Sequence, residues 1–337
     1  MDIYISPFLT SFFVAAIIGA ALILFAKKNN LNSERKVDRH IHAKNISRFG
    51  GVALILAFVL TIFLDKRIII DIPLASVLVA SIVILIFGVI DDVKQLSWQK
   101  QLFFQIIIIS FIYFLGVRLH FISNPFGGIF LLDNPFGYFI GFLVAVSWIV
   151  LLINSMNWLD GADGISAGIS FITGVTILIL SLRPEVNQPP IGIMAAAFLG
   201  GLLAFFILNF NPAKIMAGTS GSVFMGFILA VLAIFSGAKI ATTLLVLTIP
   251  VLDALWVIGE RIRAGQSIFL ADKRHLHHKL LKLGWSQKKI CIFYCGITAL
   301  IAIISLNTRD ESKLAAFLLL CFFMLIILYT VSQKART

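Results

Sequence analysis

The chain is poor in charge. Of its 337 residues only 13% are Asp, Glu, Lys or Arg, about half the roughly 25% of a soluble globular protein. Apolar residues make up 60% and the mean hydropathy is +1.02. That leaves too little polar surface to coat a water-soluble globule. It also excludes a disordered chain, whose mark is low hydrophobicity with high charge. Cysteine is scarce: Cys291, Cys295 and Cys321 all lie in apolar runs. Three thiols make no disulfide framework or zinc set. Proline is limited to nine residues, and no collagen-like or heptad period is present. Acidic residues are few as well, 16 against 27 basic ones, a net charge of +11. What remains is an all-α polytopic membrane protein. It has far more apolar surface than one buried core can hide.

Spanning helices need about 20 apolar residues. Runs of that kind fall near 6–26, 50–64, 73–90, 99–117, 137–156, 164–182, 191–209, 220–236, 239–258, 290–306 and 314–332. The expectation is therefore about eleven transmembrane helices in a single integral domain over 1–337. The first run ends in Lys27-Lys28 and reads as a spanning helix rather than a cleavable leader. Asn124-Pro-Phe-Gly and Asn134-Pro-Phe-Gly recur ten residues apart. Such turn-rich sequence predicts a hairpin between the fourth and fifth spans.

Lys and Arg concentrate on cytosolic loops. With the N-terminus outside and the C-terminus inside, 20 of the 27 basic residues fall on the inner side. This orientation puts loops at about 27–49, 91–98, 157–163, 210–219 and 259–289 on one cytosolic face. Anionic headgroups and nucleotide phosphates are met there. The basic surplus follows from topology and does not point to nucleic acid.

Four polar segments share that face, although their carboxylates, amides and histidines were not used to draw it. Asp91 and Asp92 end the third span. Two adjacent carboxylates repel and oppose the negative end of the helix dipole. A divalent cation or a proton-transfer task accounts for that arrangement; a solvated helix end is the plainer one. Asn154, Asn157, Asp160 and Asp163 lie at the inner end of the fifth span. The two Asn are three apart on one helical face, and Gly161 and Gly164 let a backbone approach a ligand. An ordinary interhelical turn uses the same residues. Gly218, Thr219, Ser220, Gly221 and Ser222 open the eighth span. Small residues there offer free N–H groups for an anion, or simply a Ser/Thr cap. The fourth segment runs from Arg261 to Gly284 and holds Arg274, His275, His277 and His278. Neighbouring cations favour neutral histidines. No Cys lies near, so phosphate binding suits this loop better than structural zinc. Together the segments offer carboxylates for a hard cation and basic groups for several phosphates. That set suits transfer of a phosphoryl-linked group from a soluble nucleotide to a lipid.

In this order and topology the four segments resemble the polyprenyl-phosphate N-acetylhexosamine-1-phosphate transferases. The resemblance runs from about residue 35 to 285, and its most specific pieces are Asp91-Asp92, Asn157 to Gly164 and His275-Leu-His277-His278. It implies transfer of an N-acetylhexosamine-1-phosphate, foremost GlcNAc-1-phosphate, from a UDP-sugar to undecaprenyl phosphate. UMP is released, Mg2+ is required with Mn2+ as a substitute, and the step opens synthesis of a cell-envelope glycopolymer. The setting is the bacterial cytoplasmic membrane, with the site facing the cytosol and a homodimer compatible. The resemblance further implies catalytic roles for Asp91, Asp92, Asp160, Asp163 and His275. It implies metal ligation by Asp92 and Asp163. Substrate contacts are implied for Arg48, Asn154, Asn157, Gly218, Ser220, Ser222, Arg274, His277 and His278. Asp91 is assigned to the lipid phosphate. Arg48-Phe-Gly50-Gly51 matches an Arg-x-Gly-Gly motif, and His42 matches the histidine six positions earlier. The His-x-His-His form is similar to the N-acetylglucosamine branch.

The chain departs from the family pattern in two places. His40 replaces a common Lys, and Asn45 and Ser47 stand where prolines are usual. More sharply, Thr219 replaces the Asp of a Gly-Asp-[Ser/Thr]-Gly-Ser motif, a metal ligand in family members. Two rival readings follow. A non-catalytic lipid- or nucleotide-binding paralogue would explain Thr219. A transporter would explain eleven spans, but only Asp253, after Pro250, lies well inside one.

Overall fold

A computed structural model of the chain describes residues 2–29, 46–123, 128–184, 186–237, 240–268, 272–308 and 310–335. The described residues are overwhelmingly helical. In chain order they form α1 (Asp2–Lys28), α2 (Gly50–Leu64), α3 (Ile72–Lys94), α4 (Trp98–Phe114), β1 (Phe121–Ser123), β2 (Ile129–Leu131), α5 (Pro135–Leu159), α6 (Ile165–Ser181), α7 (Pro189–Asn209) and α8 (Gly218–Phe235). Then come α9 (Ile240–Val246), α10 (Thr248–Arg263), α11 (Leu276–Lys282), α12 (Gln287–Asn307) and α13 (Asp310–Lys334).

Each apolar run forms helix over most of its described residues, but the runs are not equal. Seven helices are long and apolar enough to cross a membrane, or eight if α9 and α10 form one span bent by 75°. The chain is thus an integral membrane protein. The expected count of about eleven includes three shorter helices, α2, α4 and α6, of 15, 17 and 17 residues. Local chemistry sets several starts. Asp71 caps α3 by accepting from the Leu74 amide, ahead of Pro73. Asn134 caps α5 in the same way through Gly137, with Pro135 at the first position. Such caps satisfy amides that have no partner inside the helix. β1 and β2 pair antiparallel, Phe121 opposite Leu131, as the hairpin expected between α4 and α5. The first Asn-Pro-Phe-Gly of that turn lies outside the described residues.

α8 runs through the middle of the bundle, with 89% of its apolar stretch buried. α2, α3, α5 and α6 pack around it, whereas α1 and α13 turn most of their length outward. Lipid tails are as apolar as Leu, so such contacts rely on close fit rather than on release of water. Glycine provides the fit. A Cβ on Gly51 would overlap the backbone of Gly221, and one on Gly88 would overlap Ser220. Gly226 lies equally close to Ile153 of α5. Small residues therefore draw α2, α3 and α5 onto α8, and these approaches place the polar ends of the helices beside one another.

Candidate active site

The last turn of α3 lies on the first turn of α8, because Gly88 sits one turn before Asp91 and Asp92. Both carboxylates meet Thr219. Its backbone N–H donates to Asp92 Oδ2 at 2.9 Å, and its hydroxyl donates to Asp91 Oδ2 at 2.6 Å. Asp91 Oδ1 accepts from the Leu96 amide at 2.9 Å and from Gln101 Nε2 at 3.0 Å. The unfavourable placement of two carboxylates at the end of α3 is thus met by the positive end of α8. This corrects one expectation. The anion received by the first turn of α8 is Asp92 of the same chain.

Gly218 makes this docking feasible. Its φ of 68° is left-handed, and a Cβ there would overlap the Arg48 carbonyl and the Asp92 carboxylate. Gly218 is therefore a spacer rather than a side-chain ligand. Ser220 is fully buried where α3 and α8 cross. Ser222, also fully buried, donates its hydroxyl to Asn157 Oδ1 at 2.8 Å or to the Gly218 carbonyl at 2.9 Å. Both serines shape the site from beneath. Residues 47–51 are laced to the same turn. Met216 N donates to Ser47 O, Gly50 N to Met216 O and Gly51 N to Ala217 O, all at 2.8–2.9 Å. The lacing holds Arg48 beside Gly218. His40, His42 and Asn45 lie outside the described residues.

The turn from α5 to α6 completes the acidic group. Asp160 caps α5 and accepts from the Ser166 hydroxyl at 2.5 Å. Although Asp160 keeps some contact with solvent, burial of its carboxyl raises its pKa to about 7. The Ser166 hydroxyl and the Arg48 charge pull it down, while Asp92 and Asp163 push it up. These influences tie Arg48, Asp92, Asp160 and Asp163 to one electrostatic site. Asp163 is buried, and its Oδ2 accepts from Asn211 Nδ2 at 2.8 Å and from the Ala213 amide at 3.1 Å. Its own amide donates to Gln287 Oε1 at 3.1 Å. Gly164, left-handed at φ 75°, donates to Asn209 Oδ1, whose amide group donates to the Ile215 carbonyl. Asn154 bonds instead to Gln105 Oε1 of α4 and to Val150 O, one turn back from the acidic group.

The histidine segment docks against the same turn. His275 is buried, with Nδ1 at 2.9 Å from Asp253 Oδ2, and the Leu276 amide donates to Asp253 Oδ1 at 2.8 Å. One α10 carboxylate thus fixes both the ring and the backbone of the segment. The His275 ring lies 5.8 Å from Trp158, and Arg261 sits over that indole at 5.7 Å. His277 is fully buried and its ring reaches Gly161 of the acidic turn. Burial, then the neighbouring His278 and His275, lower its pKa and keep it neutral. Arg261 holds the segment through a two-point contact with Asp272 at 3.1 Å. Arg274 bonds to Asp272 and to Gln266.

The structure therefore brings Arg48, Asp91, Asp92, Asn157, Asp160, Asp163, His275 and His277 to one end of the bundle. Asn154 and Arg274 stand at its edges. The sequence reading missed Gln101, Asn209, Asn211 and Gln287, whose amides hold the acidic residues and their turns, and Gln105, which holds Asn154. Asp253 carried a signal, being a carboxylate deep in an apolar run. Among the described residues, no three His, Cys, Asp or Glu side chains converge as a metal cage. Asp92 and Asp163, two buried carboxylates within one electrostatic site, fit Mg2+ nonetheless. That ion binds through one or two carboxylates, with waters and substrate phosphates completing its shell.

The glycosyl transferase family 4 pattern matches residues 74–237. The chain is 32% identical to a decaprenyl-phosphate N-acetylglucosaminephosphotransferase of Mycobacterium tuberculosis, over 82% of this chain and 76% of the relative. It is 29% identical to a probable undecaprenyl-phosphate N-acetylglucosaminyl 1-phosphate transferase of Bacillus subtilis, over 89% and 85% respectively. A phospho-N-acetylmuramoyl-pentapeptide-transferase of Borrelia hermsii is 28% identical over 88% of this chain and 92% of its own length.

Proposed function

The chain belongs to glycosyl transferase family 4, and on that footing we propose that it moves an N-acetylhexosamine-1-phosphate, foremost GlcNAc-1-phosphate, from a UDP-sugar to undecaprenyl phosphate. The observation that carries this reading is the meeting of Asp91 and Asp92 at Thr219, beside Arg48 and the Asp160–Asp163 turn. Carboxylates and a guanidinium at the end of a membrane bundle suit a phosphate that arrives on a lipid.

An oxygen of the lipid phosphate attacks the β-phosphorus of the donor. A new P–O bond forms, the bond to the bridging oxygen of the α-phosphate breaks, and UMP leaves with that oxygen. Asp91 accepts a proton from the lipid phosphate and orients it, held itself by Leu96, Gln101 and Thr219. Arg48 lowers the repulsion between incoming phosphate and carboxylates. Asp92 and Asp163 are the residues that would hold Mg2+. Bound there, the ion would supply charge neutralisation for the donor diphosphate. His275, fixed by Asp253, holds the donor side, with Arg274 and His278 at its margin. In this reading the site faces the cytosol of a bacterial inner membrane, with the N-terminus outside, and the reaction opens synthesis of a cell-envelope glycopolymer.

Thr219 favours a second reading, a paralogue that binds lipid and nucleotide without catalysis. A hydroxyl is a weak neutral ligand where the family has a carboxylate. A panel of UDP-sugars supplied with undecaprenyl phosphate separates the two. Lipid-linked sugar formed fastest from UDP-N-acetylglucosamine supports transfer. Donor binding by calorimetry without product supports the second reading, and failure to bind any UDP-sugar overturns both.

A further inference from the structure

Away from the acidic group, α10, α11 and the end of α13 enclose a cavity of about 780 Å3. Its depth in the membrane follows from α13. That helix spans the bilayer by length and composition, and only 11% of its apolar stretch is buried. The residues it gives to the cavity, among them Tyr329 and Ser332, belong to its last two turns. The cavity therefore sits where a spanning helix meets water. Tyr329 is 56% exposed there, the position of an interfacial aromatic anchor.

The other walls are cationic. Arg263, Lys273, Arg274, Lys279 and Lys282 line the cavity against one acid, Glu260. Glu260 is already engaged: Lys279 Nζ donates to both its oxygens at 3.0 and 3.1 Å, and Trp256 Nε1 donates at 3.1 Å. Lys279 also reaches Ser332, and Lys282 donates to the Ala335 carbonyl. Arg263 and Lys273 are exposed and make no ion pair among the described residues. The two long helices that wall it also carry exposed apolar side chains. Leu255 and Ile262 of α10, seven residues apart on one helical face, are exposed, as are Leu325 and Ile326 of α13.

A cationic interior at the interface, flanked by exposed apolar side chains, complements an amphiphile with an anionic head. A soluble nucleotide has nothing to lay on Leu255 or Ile262. We propose that this cavity binds the phosphate of an anionic glycerophospholipid, whose chains lie along α10 and α13. It is separate from the acidic group, because α11 stands between them and turns His277 toward Gly161, and it shares only Arg274 and His278 with the margin of the donor side.

The test uses the full chain purified in neutral detergent. Phosphatidylglycerol, phosphatidylcholine, undecaprenyl phosphate and UDP-N-acetylglucosamine are added in turn, and thermal unfolding and retained lipid by native mass spectrometry are read. Phosphatidylglycerol should raise the unfolding midpoint and stay bound, whereas phosphatidylcholine should not. Arg263→Gln with Lys273→Gln should weaken that response at least about tenfold. Lys94→Gln with Lys100→Gln, an equal charge loss on another loop, should leave it unchanged. An undiminished response in the Arg263/Lys273 variant, or equal loss in both variants, overturns the proposal. So does an Arg263/Lys273-dependent response to undecaprenyl phosphate or the UDP-sugar alone, since the cavity would then serve a substrate.

Discussion

Replacing Thr219 by Asp probes the centre of the site. The native hydroxyl donates to Asp91 and the amide to Asp92, at 2.6 and 2.9 Å. A carboxylate at 219 faces two others. At about 4 Å and an effective dielectric constant of about 20, each pair of like charges costs about 4 kcal/mol. Taking up a proton limits this cost, because a protonated side chain can still donate to Asp91. Holding an aspartic acid neutral at pH 7, about three units above its ordinary pKa, costs about 4 kcal/mol. At pH 5 the same cost is only about 1.5 kcal/mol. Without divalent cation, Thr219→Asp should therefore be less stable than the parent by about 4 kcal/mol at pH 7, and by much less at pH 5. Mg2+ should reverse the effect, since it binds the folded state and rewards a third anionic ligand. Thermal unfolding in chelator and over a Mg2+ series measures both, and turnover over the same series gives the requirement. The variant should reach half-maximal turnover at lower Mg2+ than the parent. Parent-like stability in chelator together with an unchanged Mg2+ requirement would refute the reasoning, because position 219 would then not face the metal.

Asp91→Asn and Asp92→Asn should each lower turnover at least about a hundredfold, the range for a positioned acid or base. The protein should stay folded, since an amide oxygen can still accept the bonds from α8; near-normal turnover in either variant contradicts the assignment. The Asp160 carboxyl, raised to about 7, should give turnover an inflection near pH 7. Its raised pKa adds stability that is complete below about pH 4 and lost as pH climbs through 7. Ser166→Ala removes a donor that lowers this pKa, so the inflection should move to higher pH; a fixed inflection would assign it to another group. Gly88→Ala should separate α3 from α8, cost about 1–3 kcal/mol as overpacking and depress turnover more than Mg2+ can restore. Parent-like turnover there would show that the close crossing is dispensable.

The helices were legible because long apolar runs with polar breaks have few alternative folds in a bilayer. Counting spans was harder. α2, α4 and α6 are too short to pass as certain crossings, and the broken run at 239–258 hides the bend between α9 and α10. The acidic residues were legible because carboxylates are costly at the end of an apolar helix. Their partners were not. Gln101, Asn209 and Gln287 look like ordinary polar residues until the fold sets them beside Asp91, Gly164 and Asp163. The sequence also suggested that the small residues opening α8 offer amides to a ligand. Gly88 and Gly218 instead admit Asp92 to that place. Only the close crossing of two helices decides this, and no local pattern encodes it. The placing of Asp253 against His275 depends likewise on a contact 22 residues apart.

The proposed reaction predicts which phosphorus travels. UDP-N-acetylglucosamine labelled at the β-phosphate and, separately, at the α-phosphate is incubated with purified protein, undecaprenyl phosphate and Mg2+. The β-label should appear in the lipid fraction, mole for mole with UMP, while the α-label stays in the aqueous nucleotide. Release of UDP with both labels in water and sugar on the lipid would mean glycosyl rather than sugar-phosphate transfer, and would contradict the account.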